Sequence, residues 1–358
     1  MTPRQRMKSA LRGETTDRPA LAYLFLGGAR HVLEGAGLRM AGTQADPAIM
    51  ADAQLAAAEM FGHDSAMASF GCLTVEADAF GARVEQPLDY YPIVTARPLE
   101  DDRDLGRLAE PNPSVSGRMP LAIEALSLLR QRARDDLFIM GMVVSPFLVA
   151  CELRGMTNLL TDLLADPPYA EALLERITEG SGRYVEAMVA SGACDGVMFE
   201  NAGANRELIG PHHLAQFVMP YHRRLLATAR AANPDVLLIE HNCADTPYFT
   251  DILENDIDGI SFAHGDVAAI KQDHGIDCHL AHTNPGACQN RVCLHGEPSA
   301  QRLKTRMGNV EARACIESTR PTEGTNPAPF VLSTGCEIPF KTPVENIKAL
   351  ARAARAGF

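Results

Sequence analysis

Short apolar runs alternate with helical segments along most of the chain, and this alternation constrains the fold more than any other feature of the sequence. The runs are bounded by Gly, Pro, Asp or Asn, as is typical of parallel strands that are buried on both faces. The predicted strands are Ala20–Leu26, Leu137–Val144, Gly196–Phe199, Val236–Ile239, Gly259–Phe262 and Phe330–Leu332. Apolar residues at spacings of three and four predict helices at Thr2–Gly13, Pro47–Phe61, Met119–Ala133, Tyr169–Ala190 and His212–Ala232. Alternating strands and helices predict an α/β fold with a parallel sheet.

The length of the chain and the absence of a phosphate loop indicate which α/β fold this is. A (β/α)8 TIM barrel spans about 200 to 400 residues, and a chain of 358 residues fits that range as one domain, 1–358. No Gly-rich phosphate loop follows the first predicted strand, which argues against an open dinucleotide-binding sheet. We therefore expect a single barrel.

One segment, 274–306, interrupts the alternation of strands and helices and is predicted to be a long insertion in the C-terminal half. It has little periodicity but many potential metal ligands, which are Cys278, His279, His282, Cys288, Cys293 and His295. Their spacing matches no standard zinc finger or ribbon. The sequence leaves open a second metal site, a lid over the active site and a solvated loop.

Charge and cysteine content exclude several classes of function. The chain has 33 basic and 45 acidic side chains, a formal charge of -12, which predicts that it binds neither nucleic acid nor an anionic membrane surface. No apolar run approaches the roughly 18 residues of a membrane span, and the N-terminus lacks the apolar core of a signal peptide. We expect a cytoplasmic protein, in which the nine cysteines are reduced thiols or metal ligands.

Three residues at predicted strand ends are candidate metal ligands. His241 and Cys243 directly follow the strand Val236–Ile239, and they face the same side because side chains alternate in an extended chain. Cys336 follows another predicted strand. Barrel active sites form at the carboxyl ends of the strands, so these three side chains can meet and bind Zn²⁺ with an open fourth position. Alternatively, both cysteines are small buried hydrophobic residues and His241 is a hydrogen-bonded core residue.

Glu200 is the candidate catalytic residue and a fourth metal ligand. It directly follows the predicted strand Gly196–Phe199, and its oxygens are hard, exchangeable ligands compared with thiolates. We expect it to complete the site before a substrate arrives. The alternative makes Glu200 a loop carboxylate that accepts hydrogen bonds from the backbone near Gly203. Asn201 and Asp245 are candidates for orienting the ligands.

Longer stretches of the sequence resemble a known family. They are Phe70–Gln86, the His241-x-Cys243 pair, Met307–Val310 and Leu332–Leu350, and together they are similar to the uroporphyrinogen decarboxylase superfamily. Within it, the chain resembles the zinc-dependent corrinoid methyltransferases that act on methylcobamide proteins and coenzyme M.

The decarboxylases themselves match less well. Their N-terminal Arg-Gln-Ala-Gly-Arg signature is absent, and Leu26-Gly-Gly-Ala-Arg30 stands near the expected place. Their strand-end aspartate motif is replaced by Ala68-Ser-Phe-Gly-Cys72.

The resemblance implies a (β/α)8 barrel with zinc bound by His241, Cys243 and Cys336. A zinc-activated thiolate would then exchange a methyl group between a corrinoid protein, whose methylcobamide serves as co-substrate, and a small thiol or other methyl carrier. The direction of transfer stays open. The chain departs from the family pattern at Ala244, where a glycine usually follows the His-x-Cys pair, and in its long insertion.

Two other functions remain possible on the sequence alone. One is a metal-free decarboxylase of a porphyrinogen-like carboxylic acid, which would need arginines and an aspartate at the barrel mouth. The other is a non-catalytic binding protein in which zinc serves only stability.

Overall fold

The computed structural model describes residues 1–71, 73–262, 331–338 and 342–356, together with the backbone at 281–282. The described strands are β1 (Ala20–Ala22), β2 (Ser65–Met67), β3 (Arg83–Glu85), β4 (Ile93–Ala96), β5 (Phe138–Val144), β6 (Gly196–Glu200), β7 (Leu237–Asn242), β8 (Gly259–Phe262), β9 (Ala281–His282) and β10 (Val331–Ser333). The described α-helices are α1 (Pro3–Leu11), α2 (Ala29–Gly35), α3 (Met40–Ala45), α4 (Pro47–Phe61), α5 (Val75–Ala79), α6 (Met119–Ala133), α7 (Pro146–Arg154), α8 (Met156–Ala165), α9 (Pro167–Ala190), α10 (Pro211–His213), α11 (Met219–Ala232), α12 (Phe249–Leu253) and α13 (Val344–Ala356).

Parallel pairing arranges eight of these strands in a barrel. Six pair in the order β2-β5-β6-β7-β8-β9, and β1 pairs with β10. β1 also lies beside β2, and β10 beside β9, which closes the ring. β3 and β4 form a separate antiparallel hairpin. The predicted (β/α)8 barrel is confirmed.

The central strands have no exposed face. Every residue of β5, β6 and β7 is buried, because side chains alternate between the barrel interior and the layer of helices outside. On β7, Leu237 and Ile239 pack in one apolar cluster, while Leu238 between them packs in another with Leu225 of α11. The alternation therefore decides which residues at the strand ends point into the barrel.

Helix α1 covers the amino ends of the strands. The Thr2 and Gln5 side chains cap its first turn reciprocally. Its Arg4 N–H donates to the carbonyl of Asp136, just before β5, at 2.9 Å. Arg4 and Lys8 each lie 2.8 Å from the carboxylate of Asp195, just before β6. The carboxyl ends of the strands lie at the opposite end of the barrel, which α1 does not cover, and a functional site is expected there.

The structure corrects the ends of two predicted strands and the continuity of one predicted helix. β1 ends at Ala22 rather than Leu26, and β7 continues through Asn242 instead of ending at Ile239. The helix predicted at His212–Ala232 is interrupted by a π-helical turn at Leu214–Val218. Pro220 lacks an N–H, so a regular α-helical ladder cannot pass through this point.

The predicted insertion 274–306 lies outside the described residues, apart from the backbone of the short strand β9. The motif Met307–Val310 also lies outside them. Among the described helices, none combines the length and the apolar composition needed to cross a bilayer.

Candidate metal centre

The structure brings His241, Cys243 and Cys336 together. One potential ligand atom from each residue lies within 4.8 Å of those of the other two. His241 and Cys243 belong to the end of β7, and Cys336 lies in the turn after β10. Since β8 and β9 separate these strands, the ligands meet across the opening of the barrel. His241 and Cys336 are buried, whereas Cys243 is half-buried, which leaves the centre accessible from its side.

The imidazole of His241 is held from both sides. Strand register places Ser261 of β8 beside it, and its Nδ1 lies 2.8 Å from Ser261 Oγ. The ring of Phe25 meets the imidazole edge-on, with ring centroids 5.6 Å apart. These contacts direct Nε2 towards the cysteines. Within the described residues, this buried nitrogen forms no hydrogen bond of normal geometry.

Glu200 makes contacts that fit both of the roles that the sequence left open. Register pairs it with His241, and its Oε2 lies 3.5 Å from His241 Nε2. Its Oε1 accepts a hydrogen bond from Ala202 N at 3.1 Å, so the expected loop contact is also present. Burial opposes protonation of His241, but the negative charge of Glu200 and the Cys243 thiol outweigh it and raise the pKa of His241.

The residues expected to orient the ligands lie in different surroundings. The backbone N–H of Asn201 donates to the carbonyl of His241 at 2.8 Å, which joins the end of β6 to β7. Asp245 is exposed, two residues beyond Cys243. Asn201 is therefore in contact with the strand that carries the ligands.

Glu337 is a site residue that the sequence analysis did not single out. It follows Cys336 and accepts hydrogen bonds from Leu26 N at 3.0 Å, from its neighbour Ile338 N at 2.9 Å and from the hydroxyl of Tyr91. Burial raises the pKa of Glu337 to about 8. The residue ties the turn that carries Cys336 to the loop after β1. In the sequence, only its position next to Cys336 indicates that Glu337 belongs to the site.

The loop after β1 leaves the sheet because its backbone binds side chains instead of a neighbouring strand. Leu24 N donates to Thr334 Oγ1 at 3.4 Å, and Phe25 N lies 3.3 Å from Met67 Sδ. Phe25 has a φ of +55°, a left-handed conformation that costs a residue with a side chain about 1–3 kcal/mol. The surrounding contacts thus hold the Phe25 ring against His241.

The donor set fits zinc. An imidazole nitrogen and two thiol sulfurs, with a carboxylate at the fourth side, are the ligand types that zinc takes in proteins. None of the cysteines whose side chains are described (Cys151, Cys194, Cys243 and Cys336) forms a disulfide. The second metal site that the insertion could hold lies outside the described residues.

The chain is similar to a known protein family, to several characterised enzymes and to a solved structure. Residues 2–357 match the family model of uroporphyrinogen decarboxylase (URO-D). A methylated-thiol–coenzyme M methyltransferase of Methanosarcina mazei is 27% identical over 318 residues, which cover 87% of this chain and 77% of that protein. The methylcobamide:CoM methyltransferase MtbA of Methanosarcina acetivorans is 24% identical over 364 residues, covering 99% and 98%. A solved structure, a methyltransferase from Methanosarcina mazei, has the same fold, with a TM-score of 0.81, 24% identity and 99% of both chains covered.

Proposed function

From the premise that the chain belongs to the uroporphyrinogen decarboxylase (URO-D) family, we propose that it is a zinc-dependent methyltransferase. It moves a methyl group between the methylcobamide of a corrinoid protein and a small thiol or other methyl carrier, and it works in the cytoplasm. His241, Cys243 and Cys336 hold the zinc. Glu200 is the fourth ligand at rest.

One observation carries this proposal, namely the convergence of an imidazole and two thiols within 4.8 Å at the carboxyl ends of the strands. The metal-free decarboxylase alternative gives no reason for two thiols to converge on a buried imidazole at this position. Two relatives that align over most of this chain are named as methyltransferases of coenzyme M, and one of them as a methylcobamide enzyme. The donor set and the relatives thus support the same chemistry.

Zinc bound here would keep a substrate thiol in its nucleophilic thiolate form near neutral pH. An imidazole that binds a metal through Nε2 carries its proton on Nδ1, and here that N–H would donate to Ser261 Oγ, which holds the orientation of the ring. Phe25 and the buried strand ends exclude water from the inner side of the centre. Substrate therefore approaches from the side of Cys243.

Glu200 serves the incoming thiol in two ways. Its Oε1 is held by Ala202 N, while Oε2 can withdraw from the centre and accept the proton that the thiol loses. The sulfur then bonds to the methyl carbon as the carbon–cobalt bond of the corrinoid substrate breaks, and that electron pair stays with cobalt. The reverse reaction returns the methyl group by the same atoms.

Metal analysis of cysteine variants tests the centre. We expect one zinc per purified chain, and severe loss of zinc with the fold kept in Cys243→Ala and Cys336→Ala. Cys194→Ala is the matched control, because burial raises the pKa of this thiol, which lies outside the centre, to about 12. Full zinc occupancy in both site variants would refute the ligand assignment.

Activity is tested with methylcobalamin and a panel of thiols that includes coenzyme M. We expect the absorbance of methylcobalamin to fall only with zinc-loaded enzyme and a suitable thiol. Decarboxylation of a porphyrinogen without methyl transfer would favour the alternative enzyme. Zinc that is bound but never exchanges a ligand with an added thiol would favour a structural metal.

A further inference from the structure

A second carboxylate, Glu240, lies behind the metal centre and takes no part in the proposed chemistry. It neighbours His241 on β7 but points to the opposite face, between the strand and α11, and it is fully buried. Its Oε1 accepts from Asn201 Nδ2 at 2.8 Å, and its Oε2 accepts from Asn255 Nδ2 at 2.7 Å. His222 Nε2 lies 3.1 Å from Oε2.

A buried carboxylate is costly, even where polar side chains surround it. Leu238, two residues earlier on the same face, packs among aliphatic side chains. Burying a carboxylate costs several kcal/mol before its hydrogen bonds compensate, and well-packed apolar residues often stabilise a fold as well or better. Stability alone is therefore a weak reason for Glu240 to stand here.

Asn201, a partner of Glu240, joins the strands that carry Glu200 and His241. Asn201 directly follows Glu200, and its backbone N–H donates to the carbonyl of His241 at 2.8 Å. Its own carbonyl accepts from Asn242 Nδ2, also at 2.8 Å. Glu240 thus fixes the side chain of a residue whose backbone sets the end of β6 against the end of β7.

We propose that Glu240 is a positioning residue of the metal centre, which acts through Asn201 to hold the Glu200 carboxylate beside His241 Nε2. This inference rests on the proposed metal centre. Without the bond to Glu240, Asn201 keeps, of the bonds described here, those of its backbone. The carboxylate then has more freedom to leave the 3.5 Å contact with His241.

A double-mutant cycle between Asn201→Ala and Glu240→Leu tests the inference in the full-length protein. The readouts are zinc affinity by competition with a chelator and the visible spectrum of the cobalt(II)-substituted protein, which reports the ligand geometry. We expect each single variant to lower metal affinity about tenfold and to alter the cobalt bands. The double variant should be no worse than either single variant, because all of them remove the same link.

Asn255→Ala is the matched control. It deletes the same kind of hydrogen bond to the other oxygen of Glu240, but Asn255 contacts neither Glu200 nor His241 through the bonds described. We expect a lower melting temperature, with metal affinity and cobalt spectrum unchanged. Equal effects of Asn201→Ala and Asn255→Ala, or unchanged affinity and spectrum in Asn201→Ala, would overturn the inference.

The result also separates this inference from the proposed function. A wild-type protein that binds neither zinc nor cobalt overturns both. Metal binding without methyl transfer contradicts the function alone, since the positioning role is read from affinity and spectrum. If Glu240→Leu does not fold, Asn201→Ala and its control still decide the matter.

Discussion

The buried carboxyl group of Glu76 predicts an unusual pH dependence of stability. Glu76 lies on α5, and its Oε1 accepts a hydrogen bond from Val144 N at 2.8 Å, at the end of β5. Register pairs Val144 with Glu200, so this contact supports the strand next to the centre. Burial raises the pKa of Glu76 from 4.5 to about 7, although the hydrogen bond from Val144 lowers it.

The sign and size of the effect follow from proton linkage. The folded protein binds a proton at Glu76 more tightly than the unfolded chain, so this group stabilises the fold below pH 4.5 relative to higher pH. That stability is lost as the pH rises towards and through about 7. The loss amounts to roughly 3 kcal/mol in total, of which about 2.5 kcal/mol falls between pH 5 and pH 8.

Glu76→Gln removes this titration while keeping an oxygen that can accept from Val144 N. We expect the free energy of unfolding of the variant, minus that of wild type, to be about 2.5 kcal/mol larger at pH 8 than at pH 5, because wild type loses that stability and the variant does not. Comparing two pH values cancels any constant cost of the new amide. The measurement is urea unfolding, with Glu85→Gln on the exposed strand β3 as a control for removing one charge. An identical difference between Glu76→Gln and wild type at both pH values would refute the argument.

Two further variants test the centre itself. Ser261→Ala removes the contact that fixes His241 Nδ1 and should weaken zinc binding at least tenfold by chelator competition, whereas Ser261→Thr, which keeps a hydroxyl, should retain more of the affinity. Glu200→Gln should keep most of the zinc, because three strong ligands remain, but change the dependence of the rate on thiol concentration. Zinc-edge absorption of the resting wild type is expected to show an oxygen ligand that added thiol displaces. A spectrum with only nitrogen and sulfur ligands would contradict this assignment.

The elements that local sequence defines well were predicted closely. Pro47–Phe61 and Met119–Ala133 are helices with the bounds expected, and Gly259–Phe262 is a strand as expected. The α4 helix shows why: Asp46 caps its first turn, and Gly62 ends it with a φ of +71°. Such signals act over a few residues, so the sequence reveals them.

The end of β7 and the short strand β2, which depend on distant contacts, were not predicted. β7 was expected to end at Ile239, where the apolar run of the sequence stops and Glu240 begins a polar stretch. Glu240 and Asn242 are instead bonded within the fold, the first to Asn255 and the second to the carbonyl of Asn201, and the ladder continues through Asn242. β2 was missed because it has three residues and begins with a serine. Tertiary hydrogen bonds outweighed local composition at these positions.

In the candidate centre too, some features could be predicted from the sequence and others depend on distant contacts. That His241, Cys243 and Cys336 meet could be inferred, because barrel topology brings the carboxyl ends of distant strands to one opening. That Glu337 anchors this arrangement could not be inferred, since its partners Leu26 and Tyr91 lie 311 and 246 residues earlier in the chain.

A metal tolerates little error in ligand position, and here the candidate ligands lie at the end of β7 and after β10, which are not neighbours in the barrel. Backbone pairing therefore cannot fix Cys336 relative to His241. Glu337 anchors the Cys336 turn to the loop after β1. Phe25 in that loop contacts His241, so the loop connects Cys336 to β7. Each of these contacts is made by a residue outside the candidate ligand set, Glu337 or Phe25. The geometry of such a centre consequently depends on the residues that join the strand ends as much as on the ligands.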